Sequence, residues 1–276
     1  MGRRYPIKLH WVALPDGSYY PFSVRARKSE ILHGAGRWEE LAAMLVSDLE
    51  LARLHFLQEE QARCLLKLGI LEAQRGDFPA ARAKAIQALE HYKSVGNNGE
   101  IFSCRSALLK IDMNLGKFTQ AEKDAQELLD QASREGNVRN QSETLNNLGL
   151  ICLKTDRWDE ALAYLNQKLE LTEALGDERG LATVMGNIGG VYFAKRQYQQ
   201  AAEFDRKAIE ISRRIGDIYS EYYALYNLAK AHEMMGQGDK AMGYYRQDLE
   251  MARQLGDRPG EQDILEDIRR LRGESG

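Results

Sequence analysis

The chain of 276 residues carries 38 lysines and arginines against 41 aspartates and glutamates, for a formal net charge of −3. A protein that neutralises many phosphates usually has a strong basic excess, so this balance argues against a nucleic-acid-binding protein. No apolar run reaches the roughly 18–20 residues of a membrane span, and Cys64, Cys104 and Cys152 are interpreted as buried, reduced thiols of a cytoplasmic protein.

Residues 1–21 form an amino-terminal arm that departs from the pattern of the remainder. Apolar residues alternate from Ile7 to Ala13, and Pro15-Asp16-Gly17 suits a turn before a second extended stretch. This alternation predicts a short β-hairpin, which packs on the first repeat or pairs with another molecule, because an isolated hairpin is marginal in water. A partly ordered leader is the alternative. The basic excess of the arm indicates either a solvated segment or a contact with an acidic partner.

Beyond the arm, glycine and alanine recur at an unbroken spacing of forty residues. The glycines are Gly96, Gly136, Gly176, Gly216 and Gly256. The alanines are Ala81, Ala121, Ala161, Ala201 and Ala241. A strict period of this length is typical of a solenoid, in which one small unit is copied and each copy buries its apolar face on its neighbours. Such stacks present long surfaces that usually bind other chains.

Two helices account for one unit, and the pattern is clearest in residues 142–177. Helical spacing of apolar residues predicts a first helix that reaches Cys152 and a second that begins at Trp158. Thr155-Asp156-Arg157 separates them, and its threonine and aspartate are suited to cap the second helix. Leu175-Gly176-Asp177 ends the unit, because glycine permits a left-handed exit and aspartate can cap the next helix.

Small residues mark where the two helices of a unit approach each other. A glycine inside a helix costs about 0.5–1 kcal/mol relative to alanine, and this cost is understandable where a neighbouring helix comes very close. The alanine series holds the facing position of the second helix, and the corresponding first-helix position holds Gly69, Gly149, Gly189 and Ala229. An aromatic series is predicted to fill the wedge between hairpins: Trp38, Phe78, Phe118, Trp158 and Tyr198.

These features together resemble the tetratricopeptide repeat. The resemblance is carried by Asn147-Leu148-Gly149, Trp158, Ala161 and Leu175-Gly176-Asp177. The forty-residue length is similar to the long version found in kinesin light chains, Leu-Gly-Asn-repeat polarity adaptors and bacterial peptide-sensing regulators, whereas the usual unit has thirty-four residues. Because HEAT-like repeats lack the glycine–alanine pair, they fit the chain less well.

The resemblance and the period together predict an all-α fold. We expect a right-handed superhelical solenoid over residues 22–272, preceded by the β-hairpin-like arm of residues 1–21. A final amphipathic helix over residues 261–272 is predicted to cap the open end, since solenoids need polar terminal caps. The solenoid would hold about six helical hairpins, which begin near residues 22, 62, 102, 142, 182 and 222.

The sequence contains no recognisable catalytic arrangement. The five histidines are scattered, without cysteine or carboxylate at metal-ligand spacing. The glycine-rich run Gly186-Asn187-Ile188-Gly189-Gly190 lies inside a predicted helix and follows the repeat, so it does not match a phosphate-binding loop. We therefore expect neither an enzyme nor a cofactor or metal site.

The candidate binding residues lie on the first helix of each hairpin, on the face that lines the concave groove in the resembled family. Asn147, Asn187 and Asn227 share one position there, and an amide both donates and accepts hydrogen bonds. If repeats stack about 10 Å apart, an extended peptide that rises about 3.3 Å per residue would meet an asparagine every third residue. The alternative is that these asparagines cap or bridge adjacent helices. The other predicted contact residues are Asn146, Lys110, Lys230, Tyr223, Tyr226, Lys67 and Arg63.

Three functions fit this pattern. The first is a non-enzymatic adaptor that captures an extended or helical segment of a partner protein in the groove. The second is a peptide-gated regulator, in which a short peptide tightens the solenoid. The third is a self-assembling scaffold, a homo-oligomer that pairs through the arm or an exposed end. Neither nucleic acid nor a membrane is expected as a partner.

Overall fold

The computed structural model describes residues 11–13, 19–21, 25, 28–29, 32 and 37–273 of the chain. Within this part, two strands, β1 (Trp11–Ala13) and β2 (Tyr19–Pro21), pair antiparallel with Val12 opposite Tyr20. The predicted Pro15-Asp16-Gly17 turn lies outside the described residues. Residues 25, 28, 29 and 32 are helical. The helices that follow are α1 (Trp38–Leu54), α2 (Gln58–Gln74), α3 (Phe78–Val95), α4 (Asn98–Asn114), α5 (Phe118–Arg134), α6 (Val138–Lys154), α7 (Trp158–Leu175), α8 (Glu178–Ala194), α9 (Tyr198–Ile215), α10 (Ile218–Met234), α11 (Gly238–Leu255) and α12 (Arg258–Arg272).

The chain divides into two compact units, residues 1–124 and 125–276, with the boundary inside α5. In unit 1, helices α1 to α4 pack each against the next, and α2 also contacts α4. In unit 2, helices α6 to α12 do the same, and the first helices of successive pairs contact each other, α6 with α8 and α8 with α10. The all-α prediction is confirmed.

The junction between one hairpin and the next follows the predicted chemistry. Gly176 has a φ of 62°, in the left-handed region, and ends α7. The side chain of Asp177 then accepts a hydrogen bond from the backbone N–H of Gly180 at the start of α8. Each such cap contributes about 1 kcal/mol. The same cap recurs forty residues apart at Asn97, Asn137, Asp177, Asp217 and Asp257.

The turn inside the hairpin does not follow the predicted chemistry. The sequence predicts that Thr155 and Asp156 cap α7, but the N-cap is Arg157 and its side chain makes no capping hydrogen bond. The Thr155 hydroxyl instead donates to the carbonyl of Ile151, 2.9 Å away in α6. Asp156 adopts a φ of 59°. The prediction is wrong because Thr155 and Asp156 belong to the turn that ends α6. Only Arg157 then remains before α7 begins.

The predicted close approach of paired helices is confirmed. A Cβ at Gly69 would lie 3.0 Å from the carbonyl oxygen of Ala81, against the backbone of the partner helix. At Gly189, the corresponding atom would lie 3.3 Å from the carbonyl oxygen of Ala201. The alanine carbonyls therefore lie close to the glycines, so a methyl group at Gly69 or Gly189 would press tightly against the partner helix.

The first helix of each hairpin begins earlier than the sequence analysis predicts. The first helices begin at 58, 98, 138, 178 and 218, four residues before the hairpin starts expected from the apolar stripe. This difference is one helical turn, because capping residues precede the first buried apolar residue. The helix α12 likewise begins at Arg258 rather than near residue 261. The three cysteines are buried and form no disulfide bond among the described residues. Burial raises the pKa of the Cys64 and Cys104 thiols to about 12, so both are inert at neutral pH.

Candidate functional site

Seven of the ten predicted contact residues lie on first helices of unit 2. Asn146 and Asn147 belong to α6, and Asn187 belongs to α8. The remaining four are on α10: Tyr223, Tyr226, Asn227 and Lys230. We call this surface the first-helix face of unit 2.

The three asparagines that share one repeat position have three different environments. Asn147 is buried, with 2% of its surface exposed. The Asn187 side chain donates from Nδ2 to Asn146 Oδ1 across 2.7 Å, so it bridges α8 to α6, which is the alternative that the sequence left open. Asn227 is half-buried, and its side chain makes no hydrogen bond within the part of the chain that the structure describes. The three amides are therefore presented unequally, and peptide capture by the asparagines stays a prediction.

A buried lysine bonds Asn146, the residue before Asn147 on α6. Lys168 is on α7, and its Nζ donates to Asn146 Oδ1 over 2.8 Å. The same Asn146 oxygen thus accepts hydrogen bonds from both Lys168 and Asn187. The sequence analysis missed Lys168, although a lysine one turn after Leu165 on the inward stripe of the second helix is a detectable signal.

The helix α12 engages two of the predicted contact residues. The Tyr226 hydroxyl donates to Asp267 Oδ2 at 3.1 Å, and Lys230 Nζ donates to Asp267 Oδ1 at 3.0 Å. Asp267 itself holds the asparagine position of the repeat, forty residues after Asn227. Arg270 also forms an ion pair with Glu233, with 2.9 Å between Nη2 and Oε1. Burial and the neighbouring Asp267 raise the pKa of the Tyr226 hydroxyl to about 12. Tyr226 and Lys230 therefore hold the final helix in place.

Several large side chains of α10 are exposed to solvent. Tyr223 is 65% exposed and Met234 is 53% exposed. Of the neighbouring tyrosines, Tyr222 is buried and its hydroxyl donates to Asp257 Oδ2 at 3.1 Å, whereas Tyr219 is exposed. Tyr222 therefore packs within the last repeats.

The three predicted residues of unit 1 lie on α2 and α4. Arg63 forms an ion pair with Glu60 one turn earlier on the same helix. Lys67 Nζ donates to Ser29 Oγ at 2.8 Å. Lys110 is exposed on α4. Arg63 and Lys67 are thus engaged by neighbours within their own unit.

Buried carboxylates are the most unusual chemical groups of unit 2, and the sequence analysis missed them. Asp248 is fully buried on α11, and neither of its oxygens has a hydrogen-bond partner among the described residues. Burial, with a smaller contribution from the nearby Asp257, raises the pKa of Asp248 to about 7. Burial also raises the pKa of Asp205 well above its usual value. Such shifts occur at functional sites and in structural cores alike.

Within the described ranges, no group of three or more histidines, cysteines and carboxylates could hold a metal ion. The helices of those ranges are too short or too polar to cross a membrane. His232 Nδ1 lies 2.8 Å from Gln237 Oε1, and burial lowers the pKa of this imidazole. The first-helix face of unit 2 carries amides, the exposed Tyr223 and the exposed Met234.

Comparison with known proteins agrees with this repeat structure. A family model described as tetratricopeptide repeat matches residues 110–174 and 180–254. No curated protein shows significant sequence similarity to the chain. Among solved structures, BtubC (BKLC) from P. vanneervenii is 19% identical with a TM-score of 0.62, over 79% of this chain and 92% of that one. NprR in complex with its cognate peptide NprX is 15% identical with a TM-score of 0.73, over 90% of this chain and 72% of that one. A Rap protein complexed with competence and sporulation factor is 16% identical with a TM-score of 0.69, over 88% of this chain and 79% of that one.

Proposed function

Because this chain belongs to the tetratricopeptide-repeat family, we propose that it is a non-enzymatic adaptor that binds a peptide segment of a partner protein. The binding surface in this proposal is the first-helix face of unit 2. The sequence resemblance and the peptide complexes of the similar Rap and NprR structures support a peptide as the guest.

The observation that carries the proposal is the combination of groups on α10. Asn227 has an amide without a hydrogen bond among the described residues, and it lies one turn after the exposed Tyr223 and two turns before the exposed Met234. An amide without a hydrogen-bond partner among the described residues can bond a peptide group of the guest, while Tyr223 and Met234 supply apolar contact. Tyrosine is also among the side chains most enriched at binding hot spots. The predicted unit 1 residues Arg63, Lys67 and Lys110 stay as separate candidates, to be tested by charge reversal.

A peptide-binding screen tests this function directly. The full chain, immobilised, is exposed to a random heptapeptide library, and the affinities of enriched peptides are measured by fluorescence anisotropy. We expect the double change Tyr223→Ala and Asn227→Ala to weaken binding at least tenfold, since truncation of a hot-spot side chain commonly costs about 2 kcal/mol or more. The matched control is Leu175→Ala, which removes an exposed apolar side chain from a second helix of the same unit. Failure to enrich any peptide, or equal affinity of the double variant and the control, would refute the proposal.

A second candidate, a peptide-gated regulator, is favoured by a specific similarity. The solved structures that resemble this chain include peptide complexes of NprR and of the Rap conjugation gene regulator of plasmid pLS20 with the Phr* peptide. A regulator would change its hydrodynamic radius when an enriched peptide is added, whereas an adaptor would keep it. The third function, self-assembly through the arm, predicts that removal of residues 1–21 lowers the mass measured by light scattering.

A further inference from the structure

A buried histidine joins three helices of unit 2. His232, in the last turn of α10, is 2% exposed. Its Nε2 lies 3.3 Å from Nη2 of Arg206 on α9, and its Nδ1 lies 2.8 Å from Oε1 of Gln237, the residue before α11. Tyr244 on α11 stacks on the imidazole, with the ring centroids 5.3 Å apart. One ring on α10 thus contacts both the second helix of the preceding hairpin and the second helix of its own.

These contacts determine the protonation state of the ring. An arginine guanidinium only donates hydrogen bonds, so the Nε2 atom that receives Arg206 must carry a lone pair and no proton. A neutral imidazole then has its proton on Nδ1, from which it donates to Gln237 Oε1. The backbone N–H of Gln237 also donates to the carbonyl of His232, 2.9 Å away, which keeps Gln237 beside the ring. The geometry therefore fits one tautomer of the neutral imidazole and does not fit the imidazolium.

Unit 1 has a charged acceptor at the same repeat position. Asp112 on α4 lies three repeats of forty residues before His232, is buried, and accepts at Oδ1 from Nε of Arg82 on α3 over 2.7 Å. Arg206 lies one turn after the position equivalent to Arg82. In both places an arginine on the second helix of one hairpin bonds a buried acceptor on the first helix of the next. A carboxylate keeps its acceptor oxygens near neutral pH, whereas an imidazole loses its acceptor when it gains a proton in mild acid.

The surroundings of His232 oppose that second proton. Burial lowers the pKa of the imidazole below 6.5, and the positive charges of Arg206 and of Lys240 on α11 act in the same direction, while the contact with Gln237 acts against them. Ionisable side chains nearby on α8, α9 and α10 meet other groups: Glu233 bonds Tyr245 and Arg270, Lys195 bonds Asp159, and Asp205 Oδ1 lies against Gly189.

We propose that His232 is a proton-sensitive latch, in which the neutral ring bonds Arg206 and so ties α9 to α10, and a proton on Nε2 breaks this tie. Protonation would place two positive groups 3.3 Å apart at a buried ring. Since the folded pKa is below that of the unfolded chain, the unfolded chain binds more protons between the two values. The junction is therefore fully stable above pH 6.5 and loses stability as the pH falls from 6.5 through the folded pKa. Acid is expected to loosen the end of α10 that carries the exposed Met234.

Nitrogen-15 NMR of the full chain tests the tautomer and the pKa, with the His232 signals identified by their loss in His232→Gln. We expect Nε2 to be the unprotonated nitrogen of the neutral ring, and the ring to titrate below pH 6.5. Arg206→Ala, at an exposed position, should raise the pKa of His232, because it removes both a positive neighbour and the donor that favours the neutral ring. The matched control is Arg246→Ala, which changes the exposed arginine forty residues later and should leave that pKa unchanged. A proton on Nε2 of the neutral ring, titration at or above pH 6.5, or equal pKa values in the two arginine variants would overturn the latch.

Backbone hydrogen exchange tests whether the proton loosens the junction. Protection factors, which correct for the intrinsic pH dependence of exchange, are compared at pH 7 and pH 5. We expect protection in the last turn of α10 to fall by roughly threefold or more in the wild-type protein but not in His232→Gln, since glutamine keeps an acceptor oxygen and gains no proton. Arg206→Ala should show the reduced protection already at pH 7. An equal loss in the wild-type protein and His232→Gln, or no loss in the wild-type protein, would refute the proposal. No peptide is added, so the result is independent of the adaptor function.

Discussion

Asp248→Asn is expected to remove a pH-dependent weakness from the last repeats of unit 2. The Asp248 carboxyl is fully buried and has no hydrogen-bond partner among the described residues. Tyr222 on α10 and Asp257 at the start of α12 face it, and neither supplies a positive charge. Folding therefore favours the protonated carboxyl, whereas the unfolded chain ionises it at its ordinary pKa.

The magnitude follows from the pKa of the folded state. Burial raises it from 3.8 to about 7, and one pKa unit corresponds to about 1.36 kcal/mol, so ionisation of Asp248 opposes folding by about 4 kcal/mol. Since the folded pKa is the higher one, the folded state binds more protons between about pH 4 and pH 7. The free energy of unfolding therefore falls as the pH rises through this window and stays low above it. Asparagine cannot ionise, so the variant lacks this loss.

Urea denaturation, followed by far-ultraviolet circular dichroism from about pH 4 to pH 8, measures the effect as the difference between wild type and variant at each pH. Asp205 and all other groups are common to both proteins, so their contributions cancel. We expect similar stabilities at the acidic end and an advantage for Asp248→Asn that grows toward the alkaline end. The control is Asp239→Asn, which changes an exposed carboxylate on the same helix. A difference between wild type and Asp248→Asn that stays constant across the whole range would show that Asp248 does not ionise within it.

Two further substitutions test the packing. Asp267→Ala removes the acceptor of Tyr226 and Lys230. It should lower the free energy of unfolding by about 1–3 kcal/mol and speed hydrogen exchange in α12. Asp263→Ala, which changes an exposed residue of the same helix, should show neither effect. Phe56 has a φ of 55° and is 83% exposed at the position where later repeats have glycine, so Phe56→Gly should stabilise unit 1 by about 1 kcal/mol in thermal denaturation. A loss of stability in Phe56→Gly would show that the phenyl ring makes contacts that outweigh the backbone strain.

Much of the fold was predictable because it depends on neighbours in the chain. The left-handed exit at Gly176 and the cap at Asp177 are set by residues within one turn, so their repetition at forty-residue intervals predicted the helix ends. The approach at Gly69 was predictable too, because a glycine destabilises a helix interior and close packing of another helix is a reason for its presence there. The turn chemistry at Asp156 was not, because the same residue types end one helix or begin another, and sequence does not distinguish the two roles.

The candidate site was only partly predictable. The register placed Asn147, Asn187 and Asn227 at one position, but equal positions did not have equal surroundings. Asn187 donates to Asn146 on the preceding first helix, while Asn227 makes no corresponding bond among the described residues. This difference depends on the contact between residues forty-one apart, and that pairing comes from how first helices pack.

The sequence by itself determined the repeat, its length, the helix ends and the stripe that is buried, because backbone hydrogen bonds, caps and amphipathic spacing are local. Only the tertiary structure decided which polar side chains of that stripe are satisfied. The inward Lys168 acquires an amide acceptor, whereas Asp205 and Asp248 leave buried oxygens without a partner among the described residues. The physical reason is that a hydrogen bond depends on the identity of the residue brought opposite by packing, and each repeat brings a different one.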